Sequence, residues 1–393
     1  MKNAQEMHFP FSNSIDRRSF LKGTLTTAGF AVAAHAMRTP AFGQTGRHFP
    51  SVKIARDRII REIVGLRPYR PEGYVVEAQR VGNKLIVHNY GHGGAGITLS
   101  WGTATQAVDL IRDLPVASSR RGVVPRRFAV IGCGVNGLST AIMLQRRYQE
   151  GPGTVTIYAR DLPPNTTSNI AAGYWSPVSL YDSEVASSKF VDQYRAAARI
   201  SNRAYQLLVG RDYGVRWLDI FTLHRSEAAI GPLPGGSDLY PQQIIHRDPG
   251  NYFGFPIVRQ FNSMMIEPPI YLRALLRDFY TAGGRIVVKE FKSREEIMRL
   301  REPVIFNCSG LGARQLFGDE KLVPARGQLE VLLPQPEIDY AYIGPGHMFP
   351  RTDGIFLGGT FDPGDWSLEV NPEHTNQIFS SHESIMRGLK ISA

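Results

Sequence analysis

The residues best placed to do chemistry in this chain are glycines, because of where they fall. Gly132-Cys133-Gly134-Val135-Asn136-Gly137 follows the apolar run Phe128-Ala129-Val130-Ile131, and residues 138–147 then carry apolar side chains at helical spacing. Strand, glycine turn and helix in that order make a dinucleotide-binding unit. Gly132 permits the tight turn, Gly134 leaves the backbone open to a pyrophosphate, and Gly137 lets the helix close on the strand. The amides at the helix start, Val135 and Asn136 among them, meet the phosphate charge. A second strand is expected at 154–159, with an acidic ribose ligand at its end; here Arg160 comes first and Asp161 second. Either Asp161 reaches the ribose after a displacement of one residue, or backbone and water hold it. Thr166-Thr167-Ser168 follows in a loop and offers hydroxyl and amide donors to phosphates.

The pattern occurs a second time, earlier in the chain. Residues 74–78 and 84–88 are short β-like runs on either side of Val81-Gly82-Asn83, a hairpin turn. Glycines crowd from Gly91 to Gly96, and residues 97–110 have helical apolar spacing. Such a turn lets a backbone come close to a bound ring.

The elements that must position these turns are those of an α/β fold. Residues 269–280 have helical periodicity, Ile286-Val287-Val288 reads as a strand, and Val304-Ile305-Phe306-Asn307 is a buried strand ending in Cys308-Ser309-Gly310. Two stretches, 179–263 and 323–350, are rich in aromatics, Pro and Gly or in β-like segments. They are expected to form one substrate domain from discontinuous pieces, mostly antiparallel sheet. The expected division is 48–120, 126–178 as the dinucleotide core, 179–268 as the first part of the substrate domain, 269–322 as the second part of the core, and 323–393 as the remainder.

At 393 residues the chain has room for two cores. Its net charge of +10 does not carry a nucleic-acid reading, because the basic residues lie among acidic ones and no recognition-helix pattern is present. The N-terminal stretch is Ser14-Ile15-Asp16-Arg17-Arg18-Ser19-Phe20-Leu21-Lys22, followed by a short apolar run. It reads as a twin-arginine export signal over residues 1–43, with the protein exported folded to the periplasm or beyond. The run is too short for a stable membrane span. Cys133 and Cys308, the only cysteines, are expected as buried thiols, and no metal motif is present.

Taken together these blocks resemble the D-amino-acid oxidase family. The resemblance rests on the run from Val130 to Ala141, the run from Thr166 to Pro177 (T-T-S-N-I-A-A-G-Y-W-S-P), Asn307 to Gly310, Arg326-Gly327-Gln328, Leu357 to Phe361, and Asp365-Trp366. It implies an FAD-binding Rossmann-like domain with a discontinuous, mainly antiparallel substrate domain. One block is out of order. Gly65-Leu66-Arg67-Pro68-Tyr69-Arg70-Pro71 and the run from His88 to Thr98 resemble the family's closing section, yet precede the glycine motif. A circular permutation accounts for this economically, since chain termini are often close enough to be joined.

The resemblance implies FAD as cofactor and a small amino-acid or amine substrate bearing a carboxylate. The α-hydrogen passes to the flavin, the imino acid hydrolyses to a 2-oxo acid and ammonia, and molecular oxygen is the acceptor, giving hydrogen peroxide. Arg67 matches the arginine that clamps the substrate carboxylate by two parallel hydrogen bonds, and Gly94 lies where a backbone carbonyl receives the substrate amine. Gly93, Gly96, Ile97 and Thr98 would face the flavin ring, with Thr98 and the helix start meeting negative charge on it. Gly173, Trp175 and Gly310 would also line the cofactor. The chain departs from the family at His347, which stands where a tyrosine helps hold the carboxylate, at Ile343, where the lid-side tyrosine would be, and at Ala95, where an aromatic is absent from the glycine loop. The leading expectation is oxidation of a D-amino acid. Oxidation of glycine, sarcosine or another N-substituted amino acid, and flavin binding without turnover, are the alternatives.

Overall fold

The computed structural model describes residues 49–112, 127–148, 154–247 and 253–389; the twin-arginine stretch lies outside them. The chain opens with β1 (Ile59–Tyr69), the hairpin β2 (Val75–Val81) and β3 (Lys84–Tyr90), and helix α1 (Gly96–Asp109). Then come β4 (Phe128–Ile131), α2 (Val135–Tyr148), β5 (Val155–Ala159), the short α3 (Thr167–Ile170) and the long α4 (Ser188–Gln206). Strands β6 (Val215–His224), β7 (Ile244–Arg247) and β8 (Ile257–Ile266) lead to α5 (Pro268–Thr281), β9 (Arg285–Val288), α6 (Arg294–Met298), β10 (Val304–Asn307) and α7 (Gly312–Phe317). The last part comprises β11 (Val323–Leu332), β12 (Tyr340–Ile343), β13 (His347–Arg351), β14 (Gly354–Gly358), the two-residue β15 (Asp362–Pro363) and α8 (Pro372–Gly388).

Two sheets result. The smaller has the order β2-β3-β10-β4-β5-β9 and is parallel except for the β2–β3 hairpin. Its central strands are covered on both faces, which is why β3, β4 and β10 are buried along their whole lengths. The larger sheet runs β1-β11-β14-β13-β12-β6-β8-β7, with β15 also on β11. It is antiparallel apart from β12 on β6.

Residues 59–109 supply parts of both sheets. β1 pairs with β11 from Ile59 to Tyr69, and β3 lies parallel to β10, which lies parallel to β4. Leu85, Val87, Trp101 and Val108 share one apolar core with Phe128, Val130, Leu138 and Phe306. On its other side α1 meets α4, whose buried residues Phe190, Tyr194, Ala197, Ala198, Ser201 and Tyr205 recur at helical spacing. A Cβ on Gly102 would stand 2.0 Å from the Ala197 carbonyl oxygen, so only glycine lets these helices touch. At the outer ends of the described residues, Phe49 and Val52 share a core with Ile385 and Leu389, and the Val52 amide donates to the Met386 sulfur at 3.3 Å.

Among the described residues, His88, His92 and His382 are buried. Desolvation by burial holds their imidazoles down to about 4, about 3 and about 4 respectively, against roughly 6.5 in an unfolded chain. Between those values the unfolded chain binds protons that the native protein does not, so stability falls as pH falls from 6.5 toward 4, by at most about 1.4 kcal/mol per pH unit for each group. The urea midpoint is expected to drop clearly between pH 7 and pH 5. A midpoint unchanged over that interval would contradict the burial of these rings as neutral groups.

Candidate active site

A cleft of about 1480 Å³ is lined from both sheets. One end is built by the first glycine turn. Gly132 has φ +105°, and a Cβ there would lie 2.4 Å from the Cys308 carbonyl oxygen, so β4 and β10 approach too closely for any side chain. Gly137 does not line the cleft; its Cβ position is 2.0 Å from the Gly132 oxygen, which makes it the contact that seats α2 on its own turn. Gly134, Val135 and Asn136 do line it, as do Asp161, Thr166, Thr167, Ser168 and Gly310. At Gly310 a Cβ would meet nothing within 4 Å, and at Gly134 only the Ser168 hydroxyl at 3.2 Å. This open backbone at the amide end of α2 fits a pyrophosphate by the chemistry of its donors.

The polar side chains here are partly engaged already. Ser168 Oγ accepts from the Val135 amide at 3.0 Å, and the Thr166 hydroxyl donates to Asn169 Oδ1 at 2.8 Å, while Thr167 is exposed. Asp161 is half-buried beyond β5 and accepts from Arg160 Nε at 2.8 Å. Cys133 and Cys308 are free and buried, and burial pushes both thiols up to about 12, so neither is a nucleophile at neutral pH.

The second glycine turn lines the same cleft with Gly93, Gly94, Gly96, Ile97 and Thr98. It is held by Ser179, a non-glycine residue at φ +53°, whose carbonyl accepts from the Gly94 amide at 2.9 Å. A Cβ on Gly93 would lie 2.2 Å from that oxygen. Nothing in the sequence singled out Ser179. The Thr98 hydroxyl, expected to face the ring, instead donates to the Ser176 carbonyl at 3.2 Å and accepts from the Ser176 amide at 3.3 Å. Thr98 therefore ties α1 to the loop after α3, and the backbone amides of the first turn of α1 are left to meet negative charge.

Gly173 lines the cleft, whereas Trp175 does not. Trp175 is fully buried, packs on Tyr240 with ring centroids 5.7 Å apart, and belongs to the central core. Its expected place beside the cofactor is corrected: in the segment after α3, where Tyr174 makes an isolated bridge to Met265, Tyr174 and Ser176 line the cleft and Trp175 between them does not.

Arg67 lies on β1 with its side chain across Gly327; a Cβ at that glycine would come within 2.3 Å of the guanidinium. Arg67 Nη1 donates to the carbonyls of Arg326 at 3.4 Å and Thr360 at 3.3 Å, and Nη2 to Thr360 at 3.4 Å. Those bonds are long. No carboxylate among the described residues comes within ion-pair distance of it, and burial alone presses its proton affinity below the ordinary arginine value, with Asp362 opposing. A cation in this condition gains from an incoming carboxylate. Gly94 is its neighbour, with a Cβ position 3.7 Å from Arg67 Cδ.

His347 and Ile343 also line the cleft, with Phe349 and Tyr174 stacked at 5.2 Å. The His347 ring lies over Gly358, where a Cβ would fall 2.2 Å from Nε2. Desolvation first, then His382 and Arg67, hold His347 down to about 3. It is neutral at physiological pH, and one ring nitrogen donates while the other accepts. Tyr342 does not replace the lid-side tyrosine, because its hydroxyl points to the opposite face and meets His382 Nδ1 at 2.7 Å. A further link crosses between the turns: Asn136 Nδ2 lies 3.0 Å from His92 Nδ1, and His92 Nε2 lies 3.1 Å from Thr103 Oγ1.

Residues 127–392 match the family described as DAO, FAD dependent oxidoreductase. The chain belongs to this family. Its relatives include a D-amino acid oxidase of Dugesia ryukyuensis, 28% identical over 67% of this chain and 78% of the relative. A D-aspartate oxidase of Homo sapiens is 31% identical over 65% and 74%, and a D-amino-acid oxidase of Rubrobacter xylanophilus is 32% identical over 69% and 81%. The protein is thus an FAD-dependent oxidoreductase. The two glycine turns that line the cleft and the amide ends of α1 and α2 fit that cofactor. The match begins at residue 127, after β1 to β3 and α1.

Proposed function

We propose that this oxidoreductase converts a D-amino acid to the 2-oxo acid with ammonia and hydrogen peroxide, and that residues 48–120 are the family's closing section carried to the front of the chain. The observation that carries the first reading is Arg67: a desolvated guanidinium at the cleft, without a carboxylate partner among the described residues and adjacent to Gly94. The names of the relatives support the D configuration. The permutation is supported by the order of the small sheet, in which β3 sits beside β10, and by the meeting of Val52 with Met386.

FAD, when bound, supplies the acceptor for the α-hydrogen and two electrons. The rest of the work is binding and orientation. Arg67 fixes the carboxylate, the Gly94 carbonyl accepts from the amine, and neutral His347 adds a hydrogen bond without imposing a second charge. The stacked Tyr174 and Phe349 exclude water on one wall. No side-chain base is required, since the amine loses its proton to solvent before the α-hydrogen leaves. The imine carbon then takes up water and releases ammonia, and oxygen takes two electrons and two protons to give the peroxide.

The test is spectroscopic. The yellow holoprotein is expected to bleach anaerobically with a D-amino acid and not with its L-enantiomer; bleaching by glycine or sarcosine alone would replace this reading with that of an N-substituted or achiral amine. Replacing His347 by Tyr should keep bleaching and change the ranking of neutral against acidic D-amino acids, because the exchange alters the shape and hydrogen bonding of the carboxylate side of the cleft. An unchanged ranking over a panel of substrates counts against His347 as a pocket residue. Export through the twin-arginine route is proposed from the sequence alone; Arg17→Lys together with Arg18→Lys should hold the protein in the cytoplasm. No helix of the described residues is long and apolar enough to cross a membrane.

A further inference from the structure

We propose that His92, carrying its single proton on Nε2, is a positioning residue that fixes the second glycine turn against the first, and that Asn136 acts on the cofactor site through it. The Thr103 hydroxyl donates to the Leu99 carbonyl at 3.2 Å, so its free lone pair takes the proton on His92 Nε2 at 3.1 Å. Nδ1 is then an acceptor, and the amide of Asn136 donates to it at 3.0 Å. One residue of this pair belongs to each turn. The His92 carbonyl accepts from the Ala95 amide at 2.9 Å inside the second turn, and Asn136 is the second residue of α2. The closeness of the turns shows at Gly96, whose Cβ position is 3.7 Å from Asn136 Nδ2.

The ring has little freedom to do otherwise. It is 1% exposed and stacked on Tyr74 with centroids 5.1 Å apart and planes at 13°. Tyr74 is held in turn, its hydroxyl donating to Gln106 Oε1 at 3.2 Å, and Gln106 Nε2 donates to the Gln193 carbonyl at 2.9 Å. A second proton on the imidazole would set Nδ1–H against the Asn136 amide, donor facing donor. A histidine that merely filled core space would need no partner on α2. This one bonds to α1 on one side and to the first turn of α2 on the other, and so sets the separation of the two backbones that face the cleft.

The proposal rests on FAD lying between these turns, and two measurements separate the two ideas. In holoprotein labelled with ¹⁵N-histidine, His92 is expected to show its proton on Nε2 with no titration between pH 5 and 8; a proton on Nδ1 overturns the link, whatever the flavin does. Flavin release from the holoprotein, followed by fluorescence, should quicken about tenfold in Asn136→Leu and in His92→Phe, as for the loss of one buried hydrogen bond. The double variant should release no faster than the worse single one, because one link is lost either way. Multiplication to about a hundredfold, or unchanged release in both single variants, overturns the positioning role. Should His92→Phe not fold, Asn136→Asp replaces it: an acceptor opposite Nδ1 should speed release at pH 8 and restore retention toward pH 6 as His92 takes a second proton, and a release rate independent of pH overturns the proposal.

Discussion

Replacing Arg67 by Ala is expected to leave the protein folded and yellow while lowering kcat/KM by about thirtyfold to several thousandfold, the equivalent of roughly 2 to 5 kcal/mol for one partner of a desolvated ion pair. The range is wide because part of the cost is the substrate carboxylate left without a partner. Flavin retention should survive, since among the described residues Arg67 bonds to the Arg326 and Thr360 carbonyls, beside Phe361, and not to either glycine turn. Lysine at this position should recover a minor part of the loss, because an ammonium cannot give the paired parallel bonds of a guanidinium. Reduction of the flavin at wild-type rate and substrate concentration by Arg67→Ala would remove Arg67 from the site.

A reordered chain that starts near Pro125 and carries residues 48–120 after Ala393 through a short flexible linker is expected to fold, bind FAD and be reduced by the same substrate. The contacts that hold β1 on β11, β3 on β10 and α1 on α2 and α4 do not depend on which peptide bond is open. The join is short, because Val52 and Met386 are already in contact. Loop closure varies only as about (3/2)RT ln n with linker length, so moving the termini costs little. Deleting residues 48–120 is the opposite case. It strips β3 from β10 and β1 from β11, exposes Val130 and Leu138, and removes Arg67 and the second glycine turn together. Insoluble or flavin-free protein is expected. A deleted chain that stayed soluble and yellow, or a reordered one that did not fold, would overturn the permutation.

Much of the fold was legible because its signals are local. The hairpin 75–90, α1, β4 with α2, α5 and β10 follow from apolar periodicity and glycine position within a few residues of each other, and the structure places them where that pattern put them. The same locality explains the failures. The motif places Trp175 beside the cofactor, but its side chain is set in the core by Met264 and Tyr240 far along the chain. The hydroxyl partner of Thr98, the Ser176 carbonyl, is likewise 78 residues away and is brought to it only by folding.

By itself, then, the sequence determined the two strand-turn-helix units and the need for glycine at Gly132 and Gly137, and it singled out the block that contains Arg67. Only the tertiary structure decided that both glycine turns open on one cleft, that Ser179 and His92 hold the second turn in place, and that His347 is neutral. The reason is physical. Turn and helix preferences act through backbone angles and neighbours a few residues away, whereas the proton affinities of His347 and Arg67 come from desolvation and from charges on β1, α8 and β15, which the chain brings together only by folding.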